Sequence, residues 1–364
     1  MIARGPFVQF PELSYNLTNA IESYLKLGLM ETKILINHLN YYFCHFHNDI
    51  MKIWKDIIDF SFKNPVVTIG IFDGVHHGHR YLLEQLKKVA DSLKGETVAV
   101  TLWPHPRVVL NNEPENLRYL TSLDEKILLM QDTPLDHLVV IPFSREFAEI
   151  ESCTFVKNYL VDRIKMRHLV VGYNHKFGKN REGDFERLRE CAGLYNFTIE
   201  RMAPKSIGGV TLSSSLIREL LNSNDLTIAN HYLGYDYFLK GKVVGGNKIG
   251  RKIGFPTANV FPDDPHKLIP RDGVYAVQVL IEGRIYDGML NVGYRPTIES
   301  GMPIKTIEVN LFNFQGDLYN NKVTIHFRKR IRNEKKFEGI EQLRQQLIID
   351  RKDAQKILKD YKGK

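Results

Sequence analysis

Hydrophobic and polar positions along the 364 residues fall into two textures. From 65 to about 199, short unbroken apolar runs alternate with stretches of helical spacing. VVTIGI (66–71), TVAVTLW (97–103), HLVVIPF (137–143) and HLVVG (168–172) read as strands, and a fifth strand is predicted over 197–201. Helices are predicted over 79–92, 123–130, 153–165 and 185–196. Unbroken apolar runs suit strands buried on both faces, so the alternation predicts a parallel sheet with helices on each side and ligands at the carboxyl ends of its strands. After about 236 the pattern shortens. YFLKGKVV, GVYAVQVLI, RIYDGMLNV, KTIEVNLF and KVTIHF are separated by Gly, Asn and Asp turns at the spacing of an antiparallel barrel. An amphipathic helix over 337–361 follows, with Leu343, Leu347, Ile348 and Ile357 on its apolar side.

The fold class expected is therefore α/β: a Rossmann-like domain over 53–212, a helical connector over 213–235 and an antiparallel β-barrel with a terminal helix over 236–364. Residues 1–52 look unlike the rest, being rich in Asn, Tyr, His and Leu with a weak helical pattern over 21–39. Either Met51 is the natural start and the preceding residues are an upstream extension, or they are a lineage-specific helical appendage.

Composition narrows the partners. A formal net charge of +8 favours anionic ligands such as nucleotides, nucleic acid or an anionic surface. The cations are spread along the chain, without zinc-finger spacing, a basic zipper or an RNA-binding aromatic octamer, so no nucleic-acid partner is expected. The three cysteines, Cys44, Cys153 and Cys191, are far apart and point to buried free thiols in a reducing cytoplasm. No apolar stretch of about 18 residues predicts a membrane span, and no signal-peptide pattern opens the chain. A monomer or weak homo-oligomer is expected.

Two segments carry the chemistry. The first strand runs into Gly70-Ile71-Phe72-Asp73-Gly74-Val75-His76-His77-Gly78-His79. His76 and His79 thus fall at a strand end beside a helix N-terminus, where free N–H groups already favour an anion. Two imidazoles there can donate to a phosphate that gains charge in its transition state; the plainer alternatives are metal binding or surface histidines. The second segment, GGNKIGRKIGFPTAN (245–259), combines glycines, including Gly250 and Gly254, with Lys248, Arg251 and Lys252, and then Thr257 and Asn259. Glycines admit phosphates to the backbone, cations neutralise them, and the hydroxyl and amide oxygens are hard ligands suited to Mg²⁺. The plainer alternative is a basic turn between strands. It is not a Walker A loop, lacking Gly-Lys-Ser/Thr at the required gap.

The HxGH pattern over 76–79, in its strand–turn–helix setting, resembles the nucleotidylyltransferase superfamily, in which both histidines contact ATP phosphates. Trp103-Pro104-His105-Pro106 resembles the PHP segment near the flavin in bacterial FAD synthetases, and Gly172-Tyr173-Asn174 their nucleotide-contacting loop. Ser213-Ser214-Ser215 with Arg218 is similar to their SSTxxR, where hydroxyls and a guanidinium hold the triphosphate; a serine triplet before a helix is also a plain N-cap. GFPTAN resembles the riboflavin kinase signature, in which Thr and Asn hold the metal and the ATP phosphates. Glu308, followed by Asn313, Phe314, Gly316, Asp317, Leu318 and Tyr319, resembles the segment whose glutamate accepts the proton of the flavin ribityl hydroxyl. Taken alone, Glu308 reads equally as a solvent-facing strand glutamate. Asn291 to Thr297 matches a further segment of that family, and Arg332 lies in a stretch like its FxxxIRxExKF, which shapes the flavin and nucleotide loops.

The resemblance covers about 60–360 and implies a bifunctional riboflavin kinase/FAD synthetase, using ATP and Mg²⁺ to convert riboflavin to FMN and FMN to FAD. It implies Gly70, Phe72, Asp73, Gly74, His76, Gly78, His79, Asn174, Ser214, Ser215 and Arg218 at one ATP, and Gly250, Arg251, Gly254, Thr257 and Asn259 at the other. It further implies His105, Pro106 and Arg332 at the flavin, Thr257 and Asn259 at the metal, and Glu308, His76 and His79 in catalysis. Two other classes stay open: a different small-molecule adenylyltransferase fused to a non-catalytic barrel, and a basic nucleic-acid-binding module.

Overall fold

The apolar runs do form a parallel sheet. In this computed structural model the residues described are 51–55, 60–110, 118–173, 178–179, 183–245, 250, 253–295 and 304–362. The weak helical pattern over 21–39 and the question of residues 1–50 therefore lie outside the described residues. Strands β1 (Lys52–Trp54), β2 (Val66–Ile69), β3 (Thr97–Trp103), β4 (His137–Pro142), β5 (His168–Gly172) and β6 (Thr198–Met202) stand in the order β1-β4-β3-β2-β5-β6, every pair parallel. The chain moves outward from β2 through β3 to β4, then returns to the other side of β2 with β5. That reversal opens a crevice beyond the carboxyl ends of β2 and β5, where such sheets take their ligands. Strand β1 went unread in the sequence because three residues on a sheet edge carry little periodicity, and its Lys52 falls within the stretch set apart as the extension.

Helix α1 (His77–Ser92) covers the sheet with Leu83, Leu86 and Ala90 buried. The short α2 (Pro106–Leu110) follows β3, and α3 (Leu123–Gln131) opens on a capping box: Ser122 accepts from Glu125 N and Glu125 accepts from Ser122 N. The helix expected over 153–165 is different. After α4 (Arg145–Ala148), α5 (Ser152–Phe155) passes into a π-helix over Val156–Val161, so its inner face follows no 3.6-residue repeat. Helix α6 (Phe185–Tyr195) brings Cys191 to within a Cα–Cα distance of 5.7 Å of Cys153, and the two form a disulfide. This corrects the expectation of free thiols: spacing along the chain says nothing of two helices packed side by side in the core, where both sulfurs are buried.

A small hairpin, β7 (Ser206–Ile207) with β8 (Val210–Thr211), leads to α7 (Ser214–Asn222) and α8 (Leu226–Leu233). The barrel follows: β9 (Phe238–Val244), β10 (Ala258–Pro262), β11 (Gly273–Ile281), β12 (Arg284–Arg295), β13 (Ile304–Leu311) and β14 (Lys322–Arg332), closed in the order β10-β13-β12-β11-β14-β9 with β9 back on β10. Closure leaves no open edge. β10, unread in the sequence because Pro256 and Pro262 bracket it, is the staple that closes the ring. α9 (Ile340–Lys362) packs Ala354 and Leu358 against Phe255, Ala276, Met289 and Phe312. Leu120, Ile217, Leu221, Leu226, Ala229 and Leu233 share one apolar cluster with the barrel interior, so α7, α8 and the segment before α3 are packed as part of its core.

Gly241 is required where β9 meets β10: a Cβ there would lie 2.5 Å from Phe261 O. Gly241→Ala is expected to lower stability by about 1–3 kcal/mol, read as a lower denaturant midpoint at unchanged slope.

Candidate functional site

The turn after β2 is built for strain. Phe72 and Val75, neither of them glycine, sit at φ 50° and 37°, with Gly74 at 86° between them. Such a run is held only where its surroundings over-determine it. Asp73 supplies the hold. It is buried, and its carboxylate accepts from Leu120 N (2.9 Å), Thr121 N (3.0 Å) and Arg218 Nη2 (2.7 Å). Its main-chain oxygen accepts from Ser214 Oγ (2.8 Å). Gly74 donates to Thr121 Oγ1 (3.0 Å) and accepts from Tyr235 Oη (2.7 Å). Burial pushes the Asp73 carboxyl up, but Arg218, then His105, the Leu120 N–H and Lys126 together hold it below the usual range.

From this turn the histidines of α1 emerge. His76 caps the helix, its Nδ1 accepting from Gly78 N at 3.1 Å, so Nε2 carries the proton. His79 stacks on it with ring centroids 3.7 Å apart, and its Nδ1 has no hydrogen-bond partner among the described residues. A Cβ on Gly78 would reach within 3.0 Å of the His76 ring, which is why the motif carries glycine there; Gly70 is likewise crowded by the Phe72 ring at 3.0 Å. Burial, partly offset by Asp73, pushes His76 down to about 4. Burial, helped by His76 and Lys126, lowers His79 well below its ordinary value. Near neutral pH both rings are uncharged donors rather than cations.

His105 joins them. Buried, with Nδ1 accepting from Arg107 N (3.1 Å), it is pushed down to about 4 by burial against the pull of Asp73. Pro106 is the first residue of α2. The serine triplet divides its labour: Ser213 is the N-cap of α7, Ser214 is tied to Asp73, and Ser215 is exposed. Arg218 keeps further N–H groups beyond its one bond to Asp73. Asn174 lies outside the described residues.

The barrel gathers a second set. β10 and β13 pair Asn259 directly with Glu308, and Thr257 Oγ1 donates to Glu308 Oε2 at 3.3 Å. Gly254 has φ +81°, and a Cβ on Gly250 would stand 2.2 Å from Phe255 O; Gly250 O accepts from Phe255 N. Arg251 lies outside the described residues. These oxygens are a hard donor set. Among the described residues no group of three or more His, Cys, Asp or Glu is arranged to hold a metal. Hard oxygens of the Thr257 and Asn259 kind suit Mg²⁺, which binds through one or two protein oxygens together with substrate phosphates. An open cavity of about 600 Å³, lined by Glu282, Tyr286, Phe314, Gly316, Asp317 and Asn321 among others, takes in the loop singled out after Glu308.

Arg332, expected at the flavin, also anchors α9. Its Nε and Nη2 hold the fully buried Asp350 at 2.8 and 2.7 Å, and Nη1 donates to Asn333 O. Sequence reading also missed Thr121, Tyr235 and Asn310, whose Nδ2 donates to Pro256 O at 2.7 Å and braces the Thr257 turn. For Asn310 a signal existed: it stands two residues from Glu308, on the same face of a strand.

The comparisons agree with both halves. Residues 60–216 match the family model for FAD synthetase and residues 233–358 that for riboflavin kinase. A bifunctional riboflavin kinase/FMN adenylyltransferase of Listeria monocytogenes is 36% identical over 302 residues, covering 83% of this chain and 93% of the relative. One of Bacillus subtilis is 37% identical over 293 residues, 79% and 91% of the two. A crystal structure from Streptococcus pneumoniae described as a macrolide-efflux protein superposes with TM-score 0.76 at 28% identity, over 84% of this chain and 99% of that one. Efflux is said of that protein; among the described residues here no helix is long and apolar enough to cross a membrane.

His76 and His105, lowered to about 4 from 6.5, take up a proton less readily folded than unfolded. The unfolded chain therefore binds more protons between about pH 6.5 and 4, and stability is expected to fall as pH drops through that window. Denaturant midpoints at pH 7.5, 6 and 4.5 check this, and His76→Asn is expected to flatten the slope.

Proposed function

Belonging as it does to the bifunctional riboflavin kinase/FMN adenylyltransferase family, the chain phosphorylates riboflavin to FMN and adenylylates FMN to FAD, and we propose that it divides these reactions between the two residue sets above. Adenylylation belongs to the parallel-sheet region over 53–212 with the connector helices over 213–235, and phosphorylation to the barrel over 236–364. The observation that carries the first assignment is the stacked His76–His79 pair at the head of α1, beside Arg218.

In adenylylation an oxygen of the FMN phosphate attacks the α-phosphorus of ATP, and the bond to the β-phosphate oxygen breaks to release pyrophosphate. The nucleophile is already anionic, so no general base is needed. Charge accumulates on the five-coordinate phosphorus and the departing pyrophosphate. The neutral imidazoles of His76 and His79, Ser215 and the spare N–H groups of Arg218 are placed to receive it. Gly70, Gly74 and Gly78 let the turn pack closely against Phe72, Leu120 and His76, and Phe72 supports His79 at a ring distance of 5.4 Å. Asp73 and Ser214 act from behind, fixing the turn and Arg218. His105 and Pro106 are assigned to the flavin, and Asn174, outside the described residues, to the nucleotide.

In phosphorylation Glu308 takes the proton of the riboflavin 5′-hydroxyl while that oxygen attacks the γ-phosphorus and ADP leaves. Gly250, Arg251 and Gly254 let the ATP phosphates approach. Thr257 and Asn259 would hold Mg²⁺, whose positive charge would offset the negative charge of the phosphates. Arg332 is assigned to the flavin and also seats α9 through Asp350. The chain works, in this reading, in the cytoplasm on small molecules, as a monomer or weak homo-oligomer.

His79→Ala is expected to abolish FAD formation and leave FMN formation intact. Glu308→Ala is expected to abolish FMN formation and leave FAD formation from supplied FMN intact. Chromatography of products from riboflavin, FMN, ATP and magnesium reads both; loss of both activities by either folded variant would refute the division. Asn259→Ala is expected to raise the magnesium concentration at which the kinase is half-active by about tenfold, checked by magnesium titration; an unaltered titration would remove Asn259 from the metal.

A further inference from the structure

Lys267 belongs to the barrel, between β10 and β11, yet its ammonium is buried against the parallel-sheet half. Nζ donates to Leu120 O (2.5 Å) and to Glu125 Oε2 (2.8 Å), and lies 4.3 Å from the Tyr237 ring centroid. Glu125 is equally buried and also accepts from Ser122 N and from Lys240 N of β9. Around Lys267 the main chains pair as well: Tyr119 N donates to His266 O and Leu268 N to Tyr119 O. The segment so clamped, 119–121, presents the Leu120 and Thr121 N–H groups to Asp73. Asp73 in turn holds Arg218 and Ser214.

We propose that Lys267 is a positioning residue for adenylyl transfer: a side chain of the kinase barrel that, through Leu120 and Asp73, sets Arg218 of the other reaction. This rests on the assignment of adenylylation to the His76–Arg218 set. A buried ion pair is weak ground for stability alone, since apolar replacement of such pairs is often neutral. Its geometry is where its worth lies. Lys267 takes up the one carbonyl between the two N–H groups that hold Asp73, so its loss frees the segment to shift. A displacement of about 1 Å at groups holding a transferring phosphate costs on the order of a hundredfold in rate.

The test follows FAD formation from FMN and FMN formation from riboflavin in the same preparations, with thermal midpoints. Lys267→Met is expected to lower kcat for FAD formation about tenfold or more and leave the kinase rate within about twofold. Glu125→Gln/Lys267→Met leaves no stranded charge. Its midpoint is expected to recover while FAD formation stays low, because Leu120 O still lacks its donor. Combined with Arg218→Lys, the Lys267→Met loss is expected to be less than additive. Recovery of FAD formation in the double variant, wild-type FAD formation by Lys267→Met, loss of both reactions in folded protein, or additive losses would each overturn the proposal. If Lys267→Met does not fold, the double variant decides. A wild-type chain that leaves FMN unconverted would refute the assignment itself, whatever the variants do.

Discussion

A carboxylate taken out of water must be surrounded by donors, and Asp73 is the place where this chain meets that demand most fully. Two main-chain N–H groups, a guanidinium and the nearby charge of Lys126 outweigh the desolvation of its buried side chain. The donors come from two separate parts of the sequence, the segment before α3 and α7, with the charge of Lys126 on α3 nearby. Meeting one buried charge therefore locks those parts together. It also holds Phe72 and Val75 in backbone conformations they would not keep unaided. The aim of His76 and His79 follows from that turn, because they begin the helix it launches.

The barrel set works on different physics. Asn259, half-exposed, is brought to Glu308 by strand register, and the exposed Thr257 reaches it from the preceding turn by a hydrogen bond. β10 is short, and Asn310 braces the turn that precedes it. The ladder needs no buried charge, so this set depends on barrel closure rather than on a desolvated network. The contrast explains why glycines crowd both regions for different reasons: Gly78 makes room for an imidazole, whereas Gly250 and Gly241 make room for backbone oxygens.

Much of this was legible in the chain. Unbroken apolar runs gave away β2 to β5, because a strand buried on both faces has no polar alternation to disguise it. The capping box of α3 lies in the letters Ser122 to Glu125. β1, β10 and the π-turn after α5 were not legible, because edges, proline-bracketed strands and over-wound helices carry no period of their own. The Asp350 partner of Arg332 and the pairing of the cysteines were illegible for one shared reason: a side chain's partner is chosen by packing, and Asp350 lies on one helix, and Cys191 on another, whose placement no local pattern reveals.

The chain by itself determined which chemical groups are available and on which kind of element each stands, since residue type and short-range spacing control strand, turn and helix. Only the tertiary structure decided which of those groups stay open to solvent and which are buried behind them. Asp73 and Ser214 turn inward, Ser215 faces water, and a lysine from the barrel reaches the loop that holds Asp73. The physical reason is that desolvation and hydrogen-bond satisfaction are settled between elements distant in sequence, after the sheet and the barrel have closed.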